Sequence, residues 1–252
     1  MTNQVTPTRR SKNPLPSPKI RRALLKLSGE ALGGSDGTGI DPDVLRFVCD
    51  EVIEVHRLGV EIGIVVGGGN IFRGLAGAAR GMNRSQADHM GMLATLINAM
   101  ALQDAIEASG VSVRVMSSIS IPQVAEPFVH RQAAAHLEDG SILIFAGGTG
   151  NPFFSTDTAA ALRAAEIEAD CVLKATKVDG VYDKDPIKNP DAKRYKKVSF
   201  DQCLADRLGV MDATAIALCR ENSRPIHVFS MANPGNIRRV CMGEDIGTIV
   251  VP

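Results

Sequence analysis

The run IVVGGGNIFRG, from Ile64 to Gly74, decides how this chain is read. Ile64, Val65 and Val66 are β-branched and read as the end of a buried strand. Three glycines follow, then an asparagine, with an arginine four residues after the last glycine. Gly67, Gly68 and Gly69 carry no Cβ, so main-chain N–H groups at the strand's carboxyl end can approach a partner closely. Arg73 points to an anion as that partner.

Working outward, apolar runs alternate with helical patterns. Ala23–Leu27 reads as a strand before the opening run. Val111–Met116, Ile142–Ala146, Cys171–Lys174, Ile226–Phe229 and Thr248–Val251 read as strands after it. Asp41 is an N-cap with Pro42 at the first helical position. Val44, Leu45, Val48, Val52 and Val55 follow at helical spacing, and Gly59 supplies a stop. A long helix covers Ser85–Ser109, with Met90, Leu93, Ile97, Met100 and Ala101 on its core side. Further helices are expected over Val124–Leu137, Thr158–Ala169, Phe200–Leu208, Ala213–Glu221 and Asn236–Met242, whereas Lys177–Lys197 is turn-rich. The alternation predicts an α/β protein with a mainly parallel sheet covered on both faces.

Composition narrows the function. The chain has 252 residues and equal numbers of acidic and basic side chains, so its net charge is zero. That balance argues against a nucleic-acid or membrane-surface partner. No apolar stretch approaches the ~20 residues a membrane helix needs. Cys49, Cys171, Cys203, Cys219 and Cys241 form no C-x-x-C pair and read as reduced core thiols of a cytoplasmic protein. Residues 1–21 are polar and proline-rich and are expected to be a disordered tail, not a secretory signal. Residues 22–252 then form one domain.

Three glycine-bearing loops each follow an apolar run: KLSGEALGG (Lys26–Gly34), GGGNIFRG (Gly67–Gly74) and GGTGNPFFSTD (Gly147–Asp157). In open parallel sheets ligands bind beyond the strands' carboxyl ends, where loop N–H groups cradle phosphate. None of the three matches the P-loop or dinucleotide patterns, so each taken singly is equally a turn between packed elements. Lys26 sits in an apolar strand, where an unpaired ammonium is costly. It is either a strand-end lysine reaching solvent or a charge held against phosphate. Arg73 is either that or a surface arginine paired with an acid. Lys174 has a similar setting, with Asp170 or Asp179 as candidate neutralisers.

Taken together, KLSGEAL (Lys26–Leu32), GGGNIFRG, GMNR (Gly81–Arg84) with DHMGM (Asp88–Met92), GTGNPFF (Gly148–Phe154) and KATKVDGV (Lys174–Val181) resemble the signature segments of bacterial uridylate kinases. These are a branch of the amino-acid kinase superfamily. The resemblance runs in order from about Arg22 to Val251. It implies a three-layer α/β/α sandwich, transfer of the ATP γ-phosphoryl group to UMP, Mg²⁺, and a homohexamer. It also implies that Lys26, Ser28 and Gly29 meet the ATP phosphates, with Leu27 and Gly69 also at ATP. Thr176, Tyr182 and Asp185 would line the ATP base and ribose pocket. Gly68 would meet the UMP phosphate, and Asp88 would hold UMP at the ribose. Thr149, Gly150, Asn151, Pro152, Phe153, Phe154, Ser155 and Thr156 would wrap the nucleoside. Arg73 would lie between donor and acceptor phosphates, and Asp157 would organise the catalytic lysines. Lys26, Arg73 and Asp157 form the catalytic set; no direct metal ligand and no histidine is assigned. The loop Gly34, Ser35, Asp36, Gly37, Thr38 and Gly39 corresponds to the place of GTP activation, and UTP would inhibit from the UMP cleft. Three rivals stand beside this: the same fold with another acceptor, such as CMP or a small carboxylate; a non-catalytic nucleotide-binding protein; and a structural assembly subunit without nucleotide affinity.

Overall fold

The computed structural model describes residues 17–79 and 81–252. Of the tail expected over residues 1–21, residues 1–16 lie outside the described chain. Ile20 is already buried, and the Lys19 and Ile20 amides donate to the Cys241 carbonyl at 2.9 and 3.3 Å.

The first half runs β1 (Arg22–Leu27), a 3-10 turn (Gly29–Ala31), α1 (Pro42–Arg57), β2 (Glu61–Val66), α2 (Gly74–Ala79), α3 (Arg84–Glu107), β3 (Val113–Ser117), β4 (Glu126–Pro127) and α4 (His130–Glu138). The second half runs β5 (Ile142–Ala146), α5 (Thr156–Glu166), β6 (Cys171–Thr176), β7 (Lys197–Ser199), α6 (Phe200–Ala205), α7 (Ala213–Glu221), β8 (Ile226–Ser230), α8 (Asn236–Cys241) and β9 (Thr248–Val251). The strands form one nine-stranded sheet in the order β4-β3-β5-β2-β1-β6-β8-β9-β7. Its neighbours pair in parallel except β8 with β9.

Period-two alternation splits each central strand between two cores. Leu25, Leu27, Ile64 and Val66 pack with Val52, Leu102 and Ile237 from α1, α3 and α8. Leu24, Val65, Leu143 and Phe145 pack on the other face with Leu137, Ala160, Phe200 and Ile216 from α4, α5, α6 and α7. Both faces are therefore covered, as the unbroken apolar runs required. Because β1, β2, β5 and β6 are mutually parallel, Leu27, Val66, Ala146 and Thr176 end on one edge. All five cysteines are buried and free, and burial pushes the Cys49 thiol up to about 12.

Four expectations are corrected. The helix expected over Val124–Leu137 begins only at His130. Pro127 lacks an N–H and holds Glu126 extended, and the two residues pair with β3 instead. On α3 the expected core side is wrong: Leu93, Ile97 and Met100 are exposed. The helix instead buries Ala87, Met92, Ala94, Thr95, Leu96, Asn98, Ala99, Leu102 and Ile106. Finally, α2 falls in a loop, and β7 in the turn-rich segment and the residues just after it.

Asp41 caps α1 as expected, accepting from the Asp43 and Val44 amides at 2.9 and 3.1 Å. Asp41→Ala is expected to lower the unfolding free energy by ~1 kcal/mol, the usual worth of such a cap. Urea denaturation checks this, and an unchanged midpoint would show that the cap contributes nothing.

Candidate active site

The two strand lysines meet because of register. Lys26 on β1 and Lys174 on β6 are direct partners across the parallel pair. Both side chains are largely buried, so two like charges face each other where water screens them poorly. Asp157 resolves the conflict. One carboxylate oxygen lies 2.7 Å from Lys26 Nζ, and the other accepts from Lys174 Nζ at 2.9 Å. Lys174 also donates to the Val210 carbonyl. The Lys26 contact is an ion pair without hydrogen-bond geometry, which leaves Asp157 Oδ1 without a hydrogen-bond partner.

Local structure supports the carboxylate. Asp157 lies in the first turn of α5, where the helix dipole favours negative charge. Ser155 caps that helix, accepting from the Asp157 and Thr158 amides at 3.0 and 3.3 Å. Burial alone would raise the Asp157 pKa, but Lys26 and Lys174 outweigh it and hold the carboxyl below its ordinary value. Burial lowers Lys174, opposed by Asp157 and reinforced by Lys26.

Beside this cluster opens a cleft of about 640 Å³. Gly68, Gly69 and Arg73 from the loop after β2 form one wall, with Asp88 from α3. Thr149, Asn151, Phe153, Phe154, Ser155 and Thr156 from the loop after β5 form another. Gly150 and Pro152 belong to that loop but do not line the cleft; a Cβ on Gly150 would lie 3.0 Å from the Ser118 carbonyl. Lys26 does not line it either, although Thr156 and Thr158, the neighbours of its partner Asp157, do.

The β1 loop is set by backbone crowding. A Cβ on Gly29 would come within 2.5 Å of Asn70 Oδ1 and 2.6 Å of the Gly67 carbonyl. A Cβ on Gly68 would lie 2.7 Å from the Gly91 carbonyl. Glycine is required at both, and there the close partner is protein. Leu27 is buried in the core, and its carbonyl accepts from the Gly67 amide at 2.9 Å. Ser28 precedes the 3-10 turn and makes no side-chain cap.

The residues expected at the ATP base separate. Tyr182 and Asp185 line a second cavity of about 350 Å³. Thr176 lines neither cavity and donates to the Val178 carbonyl at 2.6 Å. The loop Gly34–Gly39 is a closed turn: Gly37 donates to the Gly34 carbonyl at 2.8 Å, and Thr38 Oγ1 to Asp36 at 2.6 Å. Gly39 is tied to Asn70 in both directions, at 2.9 and 2.6 Å.

Arg73 has an acidic partner, Glu30, at 2.5 Å. Lys177 approaches the same carboxylate at 3.9 Å. Asp88 accepts from Arg84 Nε at 2.8 Å and from the Phe153 amide at 2.8 Å. The Arg84 guanidinium also lies over the Phe153 ring, 5.6 Å from its centroid. Phe153 has φ of 72°, so this latch holds a strained backbone in place.

Sequence reasoning undervalued Lys174 and missed Glu30, Arg84 and Asp212. Lys174 carried the same signal as Lys26, a lysine inside an apolar strand. Arg84 stands one turn before Asp88, the spacing of a helical ion pair. Asp212 lines the cleft and accepts from the Ser155 and Thr158 hydroxyls and from the Ala215 amide; no motif in the sequence singles it out.

The arrangement defines an α/β protein with an open cleft of about 640 Å³ at the strand tips and a buried pair of cations beside it. A family model described as "Amino acid kinase family" matches residues 21–230, and the chain belongs to that family. Its fold matches the UMP kinase of Bacillus anthracis with a TM-score of 0.89 at 40% identity, covering 92% of this chain and 96% of that one. The UMP kinase of Ureaplasma parvum matches with a TM-score of 0.87 at 37% identity, covering 92% and 99%. The uridylate kinase of Archaeoglobus fulgidus matches at 0.70 and 26% identity, covering 91% and 99%.

Asp157→Asn is expected to cost on the order of 3 kcal/mol, because two buried ammonium groups lose their counter-charge. The wild-type contribution is fully present above the ordinary value of 3.8 and is lost as pH falls through the lower folded-state value. Denaturant titrations between pH 3 and 7 check both. A variant of unchanged stability at pH 7 would remove the counter-charge role.

Proposed function

We propose that this chain is a UMP kinase that transfers the γ-phosphoryl group of ATP to UMP, giving UDP and ADP in pyrimidine nucleotide synthesis. The observation that carries it is the Lys26–Asp157–Lys174 cluster, set beside a cleft walled by Gly68, Gly69 and Arg73. The identities to the B. anthracis and U. parvum UMP kinases support UMP as acceptor.

An oxygen of the UMP phosphate attacks the γ-phosphorus, and the bond to the β-phosphate oxygen breaks. The attacking oxygen is already ionised near neutral pH, so no general base is needed. Two nucleotides meeting end to end concentrate negative charge, and the protein's work is alignment and neutralisation. Lys26 and Lys174, fixed by Asp157, supply buried positive charge on the donor side. Arg73 supplies it between the two phosphates. Ser28, Gly29 and Gly69 offer donors to ATP, and Tyr182 and Asp185 wall its base and ribose pocket. Gly68 meets the UMP phosphate. Asp88, Thr149, Asn151 and Thr156 supply hydrogen bonds to its sugar and base.

Among the described residues no three His, Cys, Asp or Glu side chains gather into a metal site. A Mg²⁺ entering with ATP would supply further positive charge beside Lys26, Lys174 and Arg73. When bound, that ion neutralises phosphate charge. No helix of the described residues is long and apolar enough to cross a membrane; a cytoplasmic enzyme is part of this proposal. UTP would inhibit by entering the UMP cleft, and GTP would act at the Gly34–Gly39 loop, which Asn70 ties to the phosphate-binding loop.

A coupled assay of ADP formation is expected to show at least tenfold preference for UMP over CMP, because a hydrogen-bonding site rejects the wrong base edge. Arg73→Ala is expected to lower kcat roughly 100-fold, the scale of losing one transition-state charge contact. Equal rates with CMP, or a fully active Arg73→Ala enzyme, would remove the acceptor and arginine assignments respectively.

The exposed Leu93, Ile97 and Met100 form a stripe at helical spacing on α3. In this proposal the stripe is the face that meets other copies of this chain in a homohexamer, and its exposed apolar character supports that reading. Ile97→Asp is expected to shift the mass measured by light scattering to smaller species. An unaltered mass would exclude this face from the assembly.

A further inference from the structure

We propose that Asn98 is a positioning residue that aims the Gly68 amide into the cleft and ties the Gly34–Gly39 loop to the same peptide, a role that rests on the kinase reading above. Asn98 lies in the middle of α3 and is fully buried. An amide in such a place needs partners for both donors and its acceptor, and Asn98 has them. Its Nδ2 donates to the Gly67 carbonyl and to Asn70 Oδ1, both at 2.7 Å. Its Oδ1 accepts from Asn70 Nδ2 at 3.0 Å.

The outer partners fix which way both amides face. Asn70 Nδ2 also donates to the Gly39 carbonyl at 2.6 Å. Each end of the pair thus faces a main-chain carbonyl, which can only accept. Reversing either amide would set an oxygen against an oxygen.

The consequence for the cleft follows from peptide planarity. In a trans peptide the C=O of one residue and the N–H of the next point in opposite directions. Asn98 holds the Gly67 carbonyl inward, so the N–H of Gly68 points outward. Gly68 lines the cleft, and its N–H has no protein acceptor among the described residues. The same holds for the N–H of Gly69. These are the donors the anion site requires, and a buried side chain on a neighbouring helix orients the first of them.

Asn70 extends the linkage. Its main-chain carbonyl accepts from the Gly39 amide at 2.9 Å while its side chain holds the Gly39 carbonyl. Moving the Gly34–Gly39 loop therefore disturbs Asn70, and through it the group that sets the Gly67–Gly68 peptide. Thr95, one turn earlier on α3, makes the matching bond to the other loop, accepting from the Gly147 amide at 2.8 Å. One helix face thus registers both walls of the cleft.

The test uses full-length Asn98→Asp and Asn98→Leu, with Leu102→Ala as a control for loss of stability in the same helix. Asn98→Asp keeps the shape and removes both donors. With UMP and ATP varied separately, both Asn98 variants are expected to lose roughly 10–100-fold in kcat, the scale of a misplaced site. KM for ATP should change less than about threefold, while Leu102→Ala retains kcat below its melting temperature. Hydrogen exchange supplies a readout that does not need turnover: the Gly39 amide should exchange at least tenfold faster in Asn98→Asp than in Leu102→Ala. An Asn98→Asp enzyme with kcat within about twofold of wild type, or a control that loses kcat equally at matched stability, overturns the positioning role. An unchanged Gly39 rate overturns the linkage. If wild-type protein does not phosphorylate UMP, the kinase reading fails, and the exchange result alone then supports or overturns the role of Asn98 in holding the two loops.

Discussion

Two ammonium groups in register on neighbouring buried strands are not tolerable without an anion between them. Lys26 and Lys174 are in that position, and Asp157 is the anion. The requirement reaches well beyond three side chains. It demands that α5 start over the tips of β1 and β6, that Ser155 end the preceding loop as a cap, and that the loop from Gly147 to Ser155 return to this point. The cleft wall is built from that same loop. Electrostatics inside the sheet and the shape of the site are therefore one constraint. The cluster sets one carboxylate against two lysines, so it satisfies the fold and would still leave positive charge for the phosphate of the proposed reaction.

The glycines belong to the same economy of space. The sequence pattern invites the view that bare backbone exists for a ligand's approach. At Gly29 and Gly68 the nearest obstacles to a Cβ are protein carbonyls and amides. Close packing of the two loops and α3 comes first, and it leaves N–H groups facing outward. The donor array is a by-product of how tightly the strand tips are packed, which is why it is rigid enough to be useful.

Much of the fold was legible because its signals are local. Buried parallel strands announce themselves as unbroken apolar runs, and Asp41 with Pro42 marks a helix start without any tertiary knowledge. The face of α3 was not legible. Leu93, Ile97 and Met100 have the spacing of a core stripe, but periodicity reports that a face is apolar and not what covers it. The buried face interleaves Met92, Leu96, Leu102 and Ile106 with alanines, Thr95 and Asn98, whose small or polar character breaks up the pattern that a hydrophobic count looks for. In the site, Lys26 stood out as a charge in an apolar strand, whereas its pairing with Lys174 depends on strand register. Glu30 and Asp212 were invisible for the same reason, since each meets its partners over dozens of residues of intervening chain. The family resemblance assigned residues to nucleotides that no local pattern separates.

The ion pairs of the site divide into two kinds by burial, and the division bears on how it works. Asp157 lies between two buried lysines, and withdrawing it would strand both charges. The Arg73–Glu30 pair is different. Arg73 is 58% exposed and Glu30 34% at the side chain, so solvent screens their attraction and the pair is worth ~0–1 kcal/mol. A phosphate arriving at Arg73 would compete with a weak, near-surface carboxylate and would carry more charge than it. Glu30 can therefore keep the guanidinium gathered toward Gly69 and Lys177 while costing little when a phosphate takes its place. In the proposed reaction the fixed charges would establish the field, and the exchangeable one would answer to the phosphate.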